Sequence, residues 1–271
     1  MHRHYIQLWV LLLTAFAIFA VASAFEMPEL AGHKLKSSRI VAELTAAPET
    51  EPEPETSIAD TIFTAMVDSV AAPARQQFPA PPDTAAQTIL FIGDSMLEGL
   101  GPRMAAYAEQ NGHTLYNVVW YSSTSEVWGK SDKLKHYINL VKPTFVFVSL
   151  GANELFVKDI KDKRRKYVKK IVADIDTIPY LWIGPPNWKP DTGINELVAD
   201  VTAPGCFFLS DGMHFERARD GAHPTRKSAA AWLDSVARWM PQHAAHPIKM
   251  DTPAKSAGKP KRIFVHQPSE K

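Results

Sequence analysis

The sequence predicts an α/β fold, a parallel sheet sandwiched between helices. Three observations predict it. From Thr88 to Trp239, short apolar runs alternate with stretches of helical spacing. The run Phe145-Val-Phe-Val-Ser-Leu150 is apolar nearly throughout, as in a strand covered on both faces. The connections are short, which favours βαβ units whose functional residues gather at the carboxyl ends of the strands.

The elements follow in order. Thr88-Ile-Leu-Phe-Ile92 reads as the first strand, Gly93-Asp94-Ser95 as a tight turn, and Met96 to Glu109 as a helix. Thr114 to Trp120 reads as the second strand, followed by the polar loop Tyr121 to Glu126 and a helix from about Lys130 to Val141 that Pro143 closes. The third strand ends at Gly151-Ala-Asn-Glu154. A charged helix spans about Lys161 to Asp176, then come strand Tyr180 to Ile183, a helical stretch near Asn195 to Val201, strand Cys206 to Leu209, and a last helix from Thr225 to Met240.

Both flanks differ in composition from this core. Residues 5–24 carry no charge and are long enough to span a bilayer, and Ala22-Ser-Ala24 fits the small-residue rule for signal cleavage, so residues 1–24 are expected to be a signal peptide or an N-terminal membrane anchor. Residues 25–87 are rich in Pro, Ala and Glu and are expected to form a linker, with one amphipathic patch from Ile58 to Val70. Residues 242–271 carry six Lys and Arg with several prolines and are expected to be a basic disordered tail, leaving 88–241 as the folded domain. Localisation is therefore expected to be periplasmic or extracellular, secreted or anchored.

Net charge is +1, so no global field argues for a nucleic-acid partner. The single Cys206 sits in an apolar run and reads as a small buried hydrophobe, without companions for a thiolate metal site. No phosphate loop or metal motif is evident, and no cofactor or metal is expected.

A serine delivered by a strand to the mouth of a helix is placed for nucleophilic chemistry, because its own N–H can meet a developing oxyanion. The alternative for Ser95 is a helix N-cap. Acyl transfer further needs a base and a carboxylate to fix its tautomer. His223 is the base candidate, and Asp220, three residues earlier on a turn, can reach its imidazole. Asn153 can supply a side-chain N–H to the oxyanion. A second pair, Asp211 and His214, has the same spacing; the helix opened by Pro224-Thr225 favours Asp220/His223. His214 then reads as a rim residue or a substrate contact.

Gly93-Asp94-Ser95, Gly151-Ala-Asn153-Glu154 and Asp220-Gly-Ala-His223-Pro224 resemble, in order and spacing, the first, third and fifth blocks of the GDSL/SGNH hydrolase superfamily. The resemblance implies a flavodoxin-like three-layer α/β/α sandwich with a five-stranded parallel sheet. It also implies metal-independent ester hydrolysis through an acyl-enzyme, with Ser95, His223 and Asp220 as the catalytic set. The family's second block donates a glycine N–H to the oxyanion hole, and no glycine lies between His113 and Trp128; Ser125 is the candidate for that donor. Glu154 stands where the family has Asp.

Trp182 reads as core, whereas Trp128 and Trp188 are candidates for a sugar-stacking platform. The basic stretch Lys158 to Lys170 reads as a solvated helix face with local ion pairs, or else as a groove for an anionic glycan. The expected function is an exported serine esterase removing ester groups, O-acetyl by analogy, from an envelope polysaccharide. A small ester is the other substrate class, residues 5–24 give possible membrane attachment, and the alternatives are an O-acetyltransferase with the same residues or a non-catalytic glycan-binding or envelope-assembly module.

Overall fold

The computed structural model describes residues 80–268. The expected signal or anchor helix (residues 5–24) and the patch at 58–70 lie outside them. Among the described residues, no helix is long and apolar enough to cross a membrane.

The core is a parallel sheet built from β1 (Thr88–Gly93), β2 (Thr114–Trp120), β3 (Phe145–Ser149), β4 (Tyr180–Ile183), β5 (Phe207–Phe208) and β6 (Arg262–His266). The strand order is β5-β4-β3-β1-β2-β6, with every pairing parallel. Strands one to five therefore run in the 2-1-3-4-5 order of flavodoxin-like folds.

Side-chain alternation sorts the two faces. Ile89, Phe91, Leu115, Val119, Phe145, Phe147, Leu181 and Ile183 point to a core closed by α1 (Leu97–Gln110) and α6 (Arg226–His243). Their sequence neighbours Leu90, Ile92, Val118, Trp120, Val146, Val148 and Trp182 point the other way, against α3 (Lys133–Val141), α4 (Ile160–Ile175) and α5 (Ile194–Val201). A short α2 (Ser125–Lys130) follows the β2 loop. Every residue of β3 is buried, as its apolar run requires. Cys206 and Trp182 are both buried.

The tail expected to be disordered is part of the fold. Beyond α6, Ala245 donates to Gly205 O at 3.0 Å, Lys249 donates to Asp83 O at 2.9 Å, and Gly258 packs on α1, its N–H donating to Pro102 O at 2.8 Å. Arg262–His266 then pairs with β2 as the sixth strand, in place of the five expected. The reason is the edge of β2. Unpaired, its N–H and C=O groups would lie open, and a five-residue strand in a Lys- and Pro-rich context satisfies them without showing its own apolar periodicity. Phe264 packs at 4.8 Å from Tyr137 and supplies the inward contact.

Candidate active site

β1 is central, with Gly93 opposite Val119 of β2 and Ser149 of β3. The loops carrying Ser95, Tyr121 to Thr124, and Asn153 therefore leave the sheet side by side at its carboxyl end. Gly93 is required there, since a Cβ would collide with the Ser149 carbonyl and the Leu97 side chain. Asp94 ties the strands together: its N–H donates to Ser149 O at 3.2 Å, and its Oδ1 accepts from Met96 N–H at 2.9 Å. Its Oδ2 is buried without a hydrogen-bond partner. Burial pushes this carboxyl up to about 7, against the Met96 N–H and the His223 charge, which pull it down.

Ser95 is not the N-cap. Met96 occupies that position, with no side-chain cap bond. The Ser95 Oγ instead lies 2.8 Å from His223 Nε2. His223 Nδ1 lies 2.8 Å from Asp220 Oδ2, and Asp220 Oδ1 accepts the N–H groups of Ala222 and His223, both at 2.9 Å. Those backbone donors, followed by the imidazole, hold Asp220 down at about 2. An ionised Asp220 accepts the Nδ1 proton and leaves Nε2 to accept from the Ser95 hydroxyl.

The turn that presents His223 is clamped from outside. Ala218 N–H donates to His223 O at 2.8 Å and Thr225 N–H to Glu216 O at 2.8 Å. Arg217 donates to Ala222 O at 2.9 Å and to Pro186 O and Asn187 O, each at 3.0 Å, joining the loops after β4 and before α6. Thr225 caps α6, its Oγ1 accepting from Ser228 N–H at 3.3 Å. The competing pair is not assembled: Asp211 accepts from Asn187 Nδ2 at 3.1 Å, and His214 is exposed and makes no hydrogen bond to it.

Asn153 Nδ2 donates to Ser123 O at 3.0 Å, which sets the amide against the β2 loop and leaves its second proton uncommitted among the described residues. The candidate donor Ser125 is corrected by the structure. Ser125 is fully buried in the first turn of α2, and its N–H and Oγ both donate to Glu154, at 2.8 Å each. Glu154 also accepts from Arg164 Nε at 2.8 Å, and burial raises its carboxyl above the ordinary range. The residue that sequence reasoning missed is Ser122. It is exposed, has φ 54°, and its N–H has no partner among the described residues. The signal available was position: Ser122 lies two residues past the end of β2, whereas Ser125 already belongs to a helix.

On the β4 side, Trp188 is half-buried, its Nε1 donating to Ala152 O at 2.8 Å next to Asn153. It meets the exposed Phe156 edge-on at 6.4 Å, and Lys189 Nζ lies over the Trp188 ring at 4.6 Å. Trp128 is no platform: it is fully buried, with Nε1 donating to Ser123 Oγ at 3.0 Å. On the opposite side, the Tyr121 hydroxyl bonds Glu98 in the first turn of α1. The basic helix α4 is laced with ion pairs, Lys161–Glu196, Arg164–Glu126, Arg165–Asp200 and Lys170–Asp174, as on a solvated helix face with local pairing. Among the described residues, no group of His, Cys, Asp and Glu is placed to hold a metal.

Three blocks in order, a 2-1-3-4-5 parallel sheet, and Ser95 in contact with His223 and Asp220 coincide here. The arrangement resembles that of the GDSL/SGNH superfamily. Among solved structures, the chain is similar to the psychrotrophic esterase EstA from Pseudoalteromonas sp., with 21% identity, covering 56% of this chain and 97% of that one at a TM-score of 0.40. It is likewise similar to TesA, with 21% identity, covering 55% of this chain and 96% of that one at a TM-score of 0.44. No family model and no curated protein matches the sequence.

Proposed function

We propose that this SGNH-type chain is an exported serine esterase that removes O-acetyl groups from an envelope polysaccharide. The single observation that carries the esterase reading is the continuous contact Ser95 Oγ to His223 Nε2 to Asp220, at 2.8 Å for each link. In the reaction, Ser95 Oγ bonds to the ester carbonyl carbon while its proton passes to His223 Nε2. The resulting oxyanion meets the Ser95 N–H, the second proton of Asn153 Nδ2 and the Ser122 N–H. Collapse expels the alcohol, which takes the proton from Nε2. Water then adds to the acyl-enzyme with His223 again as base, releasing the acid and restoring Ser95. Asp220 stays ionised throughout and stabilises the imidazolium.

The substrate class is supported by three features: the uncharged run at residues 5–24, the long Pro-rich spacer after it, and Trp188 with Phe156 beside Asn153 as a surface on which a sugar ring can stack. His214, exposed after β5, is a candidate contact on the same rim.

The test is turnover of p-nitrophenyl acetate by the full chain, alongside acetate release from an O-acetylated polysaccharide. Ser95→Ala and His223→Ala are expected to lower turnover by about a thousandfold or more, and His214→Ala to leave it within about twofold. A folded but inert parent would overturn the esterase reading. Ester turnover without acetate release from the polymer would overturn the substrate class alone.

A further inference from the structure

We propose that the carboxyl-terminal strand β6 is the positioning element of the oxyanion loop, holding Ser122 in a backbone conformation that glycine would otherwise be needed to adopt. The inference rests on the proposed role of the Ser122 N–H as an oxyanion donor.

Ser122 has φ 54°, in the left-handed region that L side chains disfavour. Nothing in its own side chain stabilises that conformation: it is exposed, and its hydroxyl makes no hydrogen bond among the described residues. Such a residue persists only where its surroundings over-determine it. Here they do so on both sides. On the amino side, the last β2 residue, Trp120, stands opposite His266; Tyr121 N–H donates to His266 O at 3.0 Å, and Trp120 Nε1 donates to Gln267 O at 3.2 Å. On the carboxyl side, Ser123 N–H closes back on Trp120 O at 3.1 Å, Ser123 O accepts from Asn153 Nδ2 at 3.0 Å, and Ser123 Oγ accepts from Trp128 Nε1 at 3.0 Å. The chain is thus fixed immediately before and immediately after Ser122, and its N–H is left without a partner among the described residues. Asn153 and the core supply the fixing after Ser122. Before Ser122, β6 supplies the backbone hydrogen bond that holds Tyr121, beside the bond of the Tyr121 hydroxyl to Glu98.

β6 is itself an edge strand, anchored through Phe264 on Tyr137 at 4.8 Å and through Lys261 N–H to Leu115 O at 2.8 Å. The strand lies at the edge of the sheet beyond β2 and pairs with β2, so it acts on the reaction through the loop that follows β2. Sequence distance hides this: 144 positions separate Ser122 from His266.

The test combines Phe264→Ala, deletion of residues 262–271, and Ser122→Gly, alone and together, in the otherwise full chain. Loosening or removing β6 is expected to lower kcat on p-nitrophenyl acetate at least about tenfold, with KM little changed, as for loss of an oxyanion donor. Ser122→Gly alone sets the reference rate for the double variants. Added to either β6 variant, it restores most of the lost rate, because glycine reaches positive φ without support. A general structural role for β6 would not give rescue by glycine. Backbone chemical shifts of labelled Ser122 give a readout independent of turnover: they report positive φ in the full chain and lose that signature in Phe264→Ala. Unchanged Ser122 shifts, an unchanged kcat, or failure of glycine to restore the rate would overturn the proposal. A full chain inert toward esters would overturn the esterase reading, while the Ser122 shifts still decide whether β6 holds the loop.

Discussion

His223 and Asp220 are joined twice: the imidazole Nδ1 lies 2.8 Å from Asp220 Oδ2, and the His223 backbone N–H donates to Oδ1 at 2.9 Å. One carboxylate therefore shapes the turn with one oxygen and orients the base with the other. Asp220→Asn keeps much of the turn but presents an amide where the Nδ1 proton must be accepted. We expect kcat to fall by about a hundredfold to ten-thousandfold with thermal stability nearly unchanged, measured by ester turnover and melting temperature. The carboxyl is held at about 2, below its value in the unfolded chain, so the stability it contributes is present above about pH 4 and is lost as pH falls through about 2. Asp220 ionisation will therefore not appear in the pH–rate profile at neutral pH.

Asp94 behaves in the opposite sense. Its folded-state value of about 7 means that the folded protein holds the proton more tightly than the unfolded chain. Stability falls as pH rises from about 4 to about 7 and is flat above. The full effect is on the order of 4 kcal/mol. Asp94→Asn retains an oxygen for the Met96 N–H and does not ionise, so it is expected to be more stable than the parent at pH 8, with the difference vanishing near pH 4. Urea titrations at the two pH values check this.

Glu154 holds the start of α2 to the loop that carries Asn153. Glu154→Ala removes the acceptor of two Ser125 donors and of Arg164 Nε in a fully buried setting. A loss of about 3–5 kcal/mol in unfolding free energy is expected, and about 1–3 kcal/mol for Glu154→Gln, which preserves shape.

Arg217 bonds three carbonyls with one guanidinium, joining Pro186 and Asn187 to Ala222 beside His223. Arg217→Lys cannot reproduce that planar fork, so it is expected to resemble Arg217→Ala, each lowering kcat about tenfold or more while KM changes little. Steady-state kinetics on p-nitrophenyl acetate separate the two parameters. Recovery by lysine would show that charge alone suffices.

The α/β class, the strands from Thr88 to Phe208, and the contact partners Ser95, Asp220 and His223 were legible in the sequence, because each depends on local chemistry. Apolar runs report burial on both faces, and Asp220 and His223 are three residues apart on one turn. What the sequence left open needed long-range pairing. Two dyads of equal spacing were separated only by which one faces Ser95, 128 positions away. Ser125 offered a backbone N–H on paper, but the fold commits that N–H to Glu154 and leaves the Ser122 N–H without a partner among the described residues. Trp128 looked like a surface aromatic until the packing of Trp120 against it, ring to ring at 5.3 Å, closed the core around it. Most of all, the tail has the composition of a disordered segment, yet it completes the sheet. A strand of five residues gains its stability from the open edge of β2, and that edge exists only once the rest of the chain has folded.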